Sequence, residues 1–281
     1  MGLKRNHCEV TAAGGRTVSY TEAGEGVPLV FLHGIGSGAR SWSSQIDGLS
    51  DRYRVIAWDA PGYGSSSPVL SSEPDAGHYV DVLAQFVSSL RLDRFHLVGH
   101  SLGALIAARY ALEHRPKLRS LTLASIASGH AMHSMEERAR LRAGRLEILA
   151  KLGPRRMAEE RGRLLLSGAA TDAMRQAVIE TMAAIRPEGY RQAVFLLSGG
   201  DTRADVLRLA DDLPVQVIFG SADTVTTPEQ NRRVASACAR APISIIDGAG
   251  HAVYIEKAEQ FNQTLRDFLE HVDDHRMVRS A

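Results

Sequence analysis

A serine hydroxyl becomes a useful nucleophile only when a base takes its proton and a third group holds that base in the correct tautomer. The chain carries these three residue types in three separate glycine-rich stretches: Ser101 in Gly99-His100-Ser101-Leu102-Gly103, Asp223 in Gly220-Ser221-Ala222-Asp223, and His251 in Asp247-Gly248-Ala249-Gly250-His251. The chemistry open to such a set is acyl transfer. The hydroxyl attacks a carbonyl carbon, the imidazole relays the proton, and the carboxylate orients the ring and stabilises its protonated form.

The flanking residues say how these groups are held. Phe95-His96-Leu97-Val98-Gly99 reads as a short buried strand, and Ala104, Leu105, Ala107, Ala108, Tyr110 and Ala111 have the spacing of a helix packed on a sheet. A strand that becomes a helix within a few residues forces strain on the corner residue, and Gly99 and Gly103 lack the Cβ atoms that would collide there. Ser101 is thereby left above the carboxyl end of the strand. The helix N-terminus beneath it offers N–H groups and a positive dipole end to a developing anion. Pro214–Phe219 and Ile243–Ile246 read as two later strands, with Asp223 and His251 just beyond them. Catalytic groups of open α/β sheets collect at this carboxyl edge.

Other segments complete the architecture. Residues Glu9–Ala12 and Thr17–Glu22, separated by Gly14-Gly15, read as an antiparallel hairpin. Pro28–Leu32, Tyr53–Trp58 and Leu118–Ala124 are apolar runs of the kind buried on both faces in parallel sheets. Helical spacing lies between them at Trp42, Ile46 and Leu49 and over Tyr79–Leu90. From Ser134 to Ser198 the alternation stops, and the pattern predicts four short helices punctuated by Gly153-Pro154, Gly168 and Pro187. It resumes at Pro214 and ends in an amphipathic helix over Ile255–Val272, with Asp273–Ala281 expected as a loose tail.

Composition narrows the function classes. The 281 residues suffice for a large core, and a formal net charge of +1 calls for neither a nucleic-acid nor a membrane partner. Cys8 and Cys238 form no disulfide framework and have no metal-ligand spacing, so they call for no metal, and the acyl-transfer chemistry above needs no cofactor. Met1–Asn6 lacks the apolar core of a signal peptide, and no apolar run reaches membrane-spanning length; a reduced cytoplasmic setting is expected. Between Glu136 and Arg163 there are nine Lys or Arg against five Asp or Glu, which reads as a solvated basic face. Met132, Met135, Met157 and Met182 read as packing residues of the same helical region.

Taken together, His33-Gly34-Ile35-Gly36, Asp59-Ala60-Pro61-Gly62-Tyr63-Gly64-Ser65-Ser66, the serine corner, Gly220-Ser221-Ala222-Asp223 and Gly250-His251 resemble the α/β-hydrolase fold superfamily over nearly the whole chain. Pro187-Glu188-Gly189-Tyr190 through Asp201–Leu207 resembles its small carboxylesterase and enol-lactonase branch. The resemblance implies an α/β fold: a mostly parallel eight-stranded sheet flanked by helices, with a core of residues 1–129 and 206–281 and a helical cap at 130–205. It implies Ser101 as nucleophile, His251 as general base and then acid, and Asp223 as orienter, with the backbone N–H groups of Ile35 and Leu102 as the oxyanion hole. The alternative site for the acid, after the preceding strand, reads Ala124-Ser125-Ile126-Ala127-Ser128 and contains none. His33, Gly34 and His100 are candidates for lining the pocket, with His33 and Asp59 also suited to holding loops in shape.

The implied activity is hydrolysis of a small-molecule carboxylic ester or lactone. Hydrolytic C–C cleavage of a ring-fission product is an alternative. Relatives with that activity carry Asn before the serine and a second Gly after Gly103, where this chain has His100 and Ala104. A non-catalytic ligand receptor on the same fold is the other alternative, since fold alone does not specify function. The cap is also available for contacts in a homodimer.

Overall fold

The computed structural model describes residues 5–12, 15–238 and 240–280. Met1–Lys4, read above for a signal core, Gly14 of the hairpin turn and terminal Ala281 lie outside them.

The apolar runs become strands: β1 (Asn6–Ala12), β2 (Arg16–Ala23), β3 (Val27–Leu32), β4 (Tyr53–Trp58), β5 (Phe95–His100), β6 (Leu118–Ala124), β7 (Val215–Gly220) and β8 (Ile243–Ile246). They form one eight-stranded sheet in the order β1-β2-β4-β3-β5-β6-β7-β8. The β1–β2 and β2–β4 pairs are antiparallel; every later pair, from β4–β3 through β7–β8, is parallel. The antiparallel hairpin at one edge and the parallel remainder match the reading of the sequence.

Alternation along each strand feeds two cores. Val30, Leu32, Ile56, Trp58 and Leu97 face one side, where they join Tyr79, Leu83 and Phe86 of α2 (Ala76–Ser89) and Leu105 and Tyr110 of α3 (Leu102–Glu113). Leu29, Phe31, Val55, Ala57 and Val98 face the other, against Trp42, Ile46 and Leu49 at α1 (Ser43–Leu49) and Phe261, Leu265 and Leu269 of the C-terminal helix. A parallel strand covered on both faces has no polar side to offer, which is why these runs are continuously apolar.

Between β6 and β7 the described chain contains no strand. It forms α4 (Met135–Arg161), α5 (Asp172–Ala183), α6 (Pro187–Gly199) and α7 (Thr202–Val206). Within α4, Gly153 takes φ 67° immediately before Pro154 and breaks the helix into two arms. Those two arms, α5 and α6 are the four helical pieces that the sequence predicts. After β7 come α8 (Pro228–Ala235), β8, the single turn α9 (Val253–Glu256) and α10 (Ala258–Ser280).

Two expectations need correction. The tail expected from Asp273 is helical as far as Ser280. Asp273 is anchored there, accepting hydrogen bonds from Arg119 at 2.8 Å and His96 at 3.3 Å, long-range partners that no local pattern reveals. Of the four methionines expected to pack, Met157 and Met182 are buried, whereas Met132 and Met135 are 83% and 70% exposed. Among the described residues no helix is long and apolar enough to cross a membrane.

Candidate active site

Ser101 stands between β5 and α3 with φ 54° and ψ −114°, a conformation that non-glycine residues rarely adopt. The tightness of the corner explains its glycines. A Cβ on Gly99 would lie 2.3 Å from the Gly103 carbonyl oxygen, and one on Gly103 would lie 2.2 Å from the Leu32 carbonyl oxygen. The corner is pinned by backbone bonds: Ser101 N–H donates to Ala124 O at 2.9 Å, and the Ala104 and Ala127 N–H groups donate to Ser101 O at 3.0 and 3.3 Å.

Asp223 and His251 arrive on the loops after β7 and β8. These loops are tied together by Ala222 N–H donating to Ala249 O at 2.9 Å. His251 Nδ1 is 2.9 Å from Asp223 Oδ2, and both side chains are buried. A carboxylate can only accept, so Nδ1 carries the hydrogen and Nε2 of the neutral ring is left as the basic nitrogen. Asp223 is fully engaged besides. Oδ1 accepts from the N–H groups of Val225 (2.8 Å) and Thr226 (2.9 Å), and Oδ2 accepts from the Thr226 hydroxyl (2.9 Å). Burial by itself would raise the Asp223 carboxyl. The hydrogen bond and charge of His251, with the two N–H donors, outweigh it and hold Asp223 below the ordinary carboxylate range.

Ser101 and His251 line the same cavity, of about 760 Å³. No hydrogen bond within 3.5 Å joins the serine hydroxyl to the imidazole. Contacts of this kind are commonly long in unliganded enzymes and tighten when substrate is bound. Gly34, Ile35 and Leu102 also line the cavity. A Cβ on Gly34 would be 2.9 Å from Ser101 Cβ, so the loop after β3 lies directly against the serine. The backbone N–H groups of Ile35 and of Leu102, the first residue of α3, have no hydrogen-bond partner among the described residues.

The two candidate histidines separate. His33 is not among the residues that line the cavity; of the two parts the sequence suited it to, it takes the loop-shaping one. Its Nδ1–H donates to Gly34 O at 2.8 Å and its Nε2 accepts from Ala60 N–H at 3.0 Å, so both nitrogens are spent on shaping the two loops. Asp59 plays a similar part, accepting from Ala39 N–H and the Ser19 hydroxyl. His100 does line the cavity. It bonds the backbone carbonyl of His251 through Nε2 at 2.9 Å, and the two rings stand 4.8 Å apart. Because a carbonyl only accepts, Nε2 carries the hydrogen; Nδ1 is buried without a partner. Burial, followed by the neighbouring His251, pushes the His100 pKa down to about 3 and keeps the ring neutral.

Two functional positions had no sequence signal. Thr226 holds Asp223 and lies 3.1 Å from His251 Nδ1. Glu256, on α9, is buried and accepts from the N–H groups of Gly250 and Ser167, both at 2.9 Å, and from the Ser167 hydroxyl. With Ala252 N–H donating to Leu165 O at 2.7 Å, it fastens the helical insertion to the loop that carries His251. A glutamate in an amphipathic stretch looks like any solvent-facing acid until the fold buries it. Among the described residues no group of three or more His, Cys, Asp or Glu is placed to hold a metal ion.

This fold and this corner define a class, and comparison with known proteins agrees. The model of the alpha/beta hydrolase fold family matches residues 27–258, and the chain belongs to that family. It is 29% identical over 272 residues to (E)-2-((N-methylformamido)methylene)succinate hydrolase of Acinetobacter baylyi, covering 91% of this chain and 95% of that one. Among solved structures, a thermophilic esterase from Thermogutta terrifontis superposes with a TM-score of 0.85 at 24% identity, covering 95% of this chain and 99% of the esterase. The enol-lactonase from Burkholderia xenovorans LB400 gives 0.81 at 23% identity, over 94% and 100% of the two chains. The protein is an α/β hydrolase.

Proposed function

We propose that this α/β hydrolase is a serine hydrolase that cleaves small carboxylic esters or lactones through an acyl-enzyme, in steps that require no cofactor. Ser101 Oγ attacks the carbonyl carbon while His251 Nε2 takes its proton. The resulting oxyanion is held by the N–H groups of Leu102 and Ile35. As the tetrahedral intermediate collapses, His251 returns the proton to the leaving alkoxide. Water, deprotonated by the same nitrogen, then releases the acid and restores Ser101. Asp223, ionised throughout, stabilises the imidazolium that forms twice in the cycle. The helices of residues 130–205 act as a cap that shapes the space for the acyl and alcohol groups.

The observation that carries this reading is the 2.9 Å His251–Asp223 pair, opening on the same cavity as a serine with φ 54°. A receptor would have no use for a buried, oriented base beside a strained hydroxyl. The names of the relatives, an esterase and an enol-lactonase among them, agree with it. The test is turnover of p-nitrophenyl acetate and a panel of lactones by the wild type and by Ser101→Ala. Loss of at least about 10⁴-fold in kcat, with the fold intact by circular dichroism, is expected. Turnover that survives in Ser101→Ala overturns the reading.

A further inference from the structure

Most of the basic residues in the insertion have partners or reach solvent. Arg140 pairs with Glu137, Lys151 with Glu147 and Arg155 with Glu180. Arg138 and Arg142 bond the carbonyl and hydroxyl of Ser198. Two do neither. Arg145, on the first arm of α4, and Arg161, at the end of the second, are half-buried and make no hydrogen bond or ion pair among the described residues. The break at Gly153 folds the two arms so that both arginines line the cavity holding Ser101, and both also line a smaller adjoining recess of about 410 Å³.

The rest of the wall leaves their charge uncompensated. The cavity is bordered by Arg145, Arg161, Arg203 and Arg233 against Glu137 and Asp201. Of the two acids, Glu137 is neutralised by Arg140, and Asp201 accepts from Ala204 N–H as the N-cap of α7. His130 borders both spaces and is kept neutral, first by burial and then by the nearby Arg145, so it can donate a hydrogen bond to an anion without competing for one. A half-buried guanidinium with no protein partner keeps its planar fork of donors free for a bidentate anion, and a carboxylate is such a ligand.

We infer that Arg145 and Arg161 form an anion subsite selecting substrates that bear a free carboxylate remote from the scissile carbonyl. This inference rests on the serine-hydrolase reading above and names the substrate class of that site. The carbonyl is presented to Ser101 while the carboxylate reaches the far, cap-lined end of the cavity.

The experiment compares kcat/KM within matched pairs: p-nitrophenyl hydrogen adipate against its methyl-capped diester, and 4-acetoxybenzoate against its methyl ester. The wild type should favour the charged member of at least one pair by about tenfold or more. In the double variant R145Q/R161Q that ratio should fall towards one, and in R145E/R161E below one. A ratio taken within one protein does not depend on how much of it is folded, and R145K/R161K keeps the charge if the glutamines are not tolerated. Adipate should inhibit the wild type and inorganic phosphate at equal concentration should not; equal inhibition by phosphate overturns the assignment to carboxylates. No wild-type preference in either pair, or a preference that survives in R145Q/R161Q, overturns the subsite. If Ser101→Ala abolishes turnover while either of those results holds, only the subsite falls. If Ser101→Ala retains turnover, the hydrolase reading falls with it.

Discussion

The carboxyl edge of the sheet and the helical insertion above it are built on opposite principles. At the edge, the acids are saturated: Asp223 accepts from His251, Thr226 and Val225, and Glu256 from Gly250 and Ser167. On the cavity face of the insertion, the side chains of Arg145 and Arg161 are left without partners among the described residues. A saturated network fixes one geometry, which is what proton transfer needs. An unsaturated wall is complete only when a ligand arrives, which is what selection needs. The two regions meet at Glu256, whose buried carboxylate, together with the Ala252–Leu165 backbone bond, holds the base-bearing loop and the insertion together.

The contrast can be broken most severely at its saturated end. Asp223→Asn keeps the shape but offers the ring an amide, so His251 is no longer held with its hydrogen on Nδ1. A fall of about 10³–10⁴-fold in kcat is expected, measured by steady-state kinetics with active sites counted by fluorophosphonate labelling. A loss below about tenfold would mean that another residue orients the imidazole.

The joint comes next. Glu256→Gln weakens the charge-assisted bonds from the Gly250 and Ser167 N–H groups and sets an NH2 donor against the Ser167 hydroxyl in place of the oxygen that accepts from it, and should destabilise the fold by about 3 kcal/mol in urea unfolding. Because Gly250 adjoins His251, kcat should drop about tenfold at temperatures where the variant is folded, while Glu256→Asp recovers part of it. Stability lost with kcat intact would separate the joint from the chemistry.

The smallest effect concerns His100, which stays neutral to about pH 3 when folded and titrates at the ordinary 6.5 when unfolded. Between these values the unfolded chain binds the extra proton, so stability is lost as pH falls through that window and is unaffected above it. From pH 6.5 to 4.5 the wild type should lose about 2 kcal/mol more than His100→Gln. Equal losses in denaturant titrations at the two pH values would show that the ring takes up its proton in place.

How far the sequence reached follows from which interactions are local. The strands, the serine corner and the break in α4 were legible because apolar periodicity, Gly99 and Gly103, and Gly153-Pro154 act within a few residues of themselves. Thr226 and Glu256 were not, since each matters only through partners brought to it by packing. The loop-shaping part of His33, whose nitrogens are taken by Gly34 and Ala60, was legible from its place in a glycine-flanked loop, whereas only packing decided that His100 faces the cavity instead of pointing away. The α10 extension past Val272 depends on Arg119 and His96, far away in the chain.

By itself, the order of residue types determined an alternating α/β chain, a strained serine at a strand-to-helix corner, and an acid and a histidine after the last two strands. Backbone sterics and hydrophobic periodicity write those features into short segments. Tertiary structure decided which of the insertion's many arginines face water and which face the cavity, because burial and charge pairing across distant segments are properties of the packed molecule.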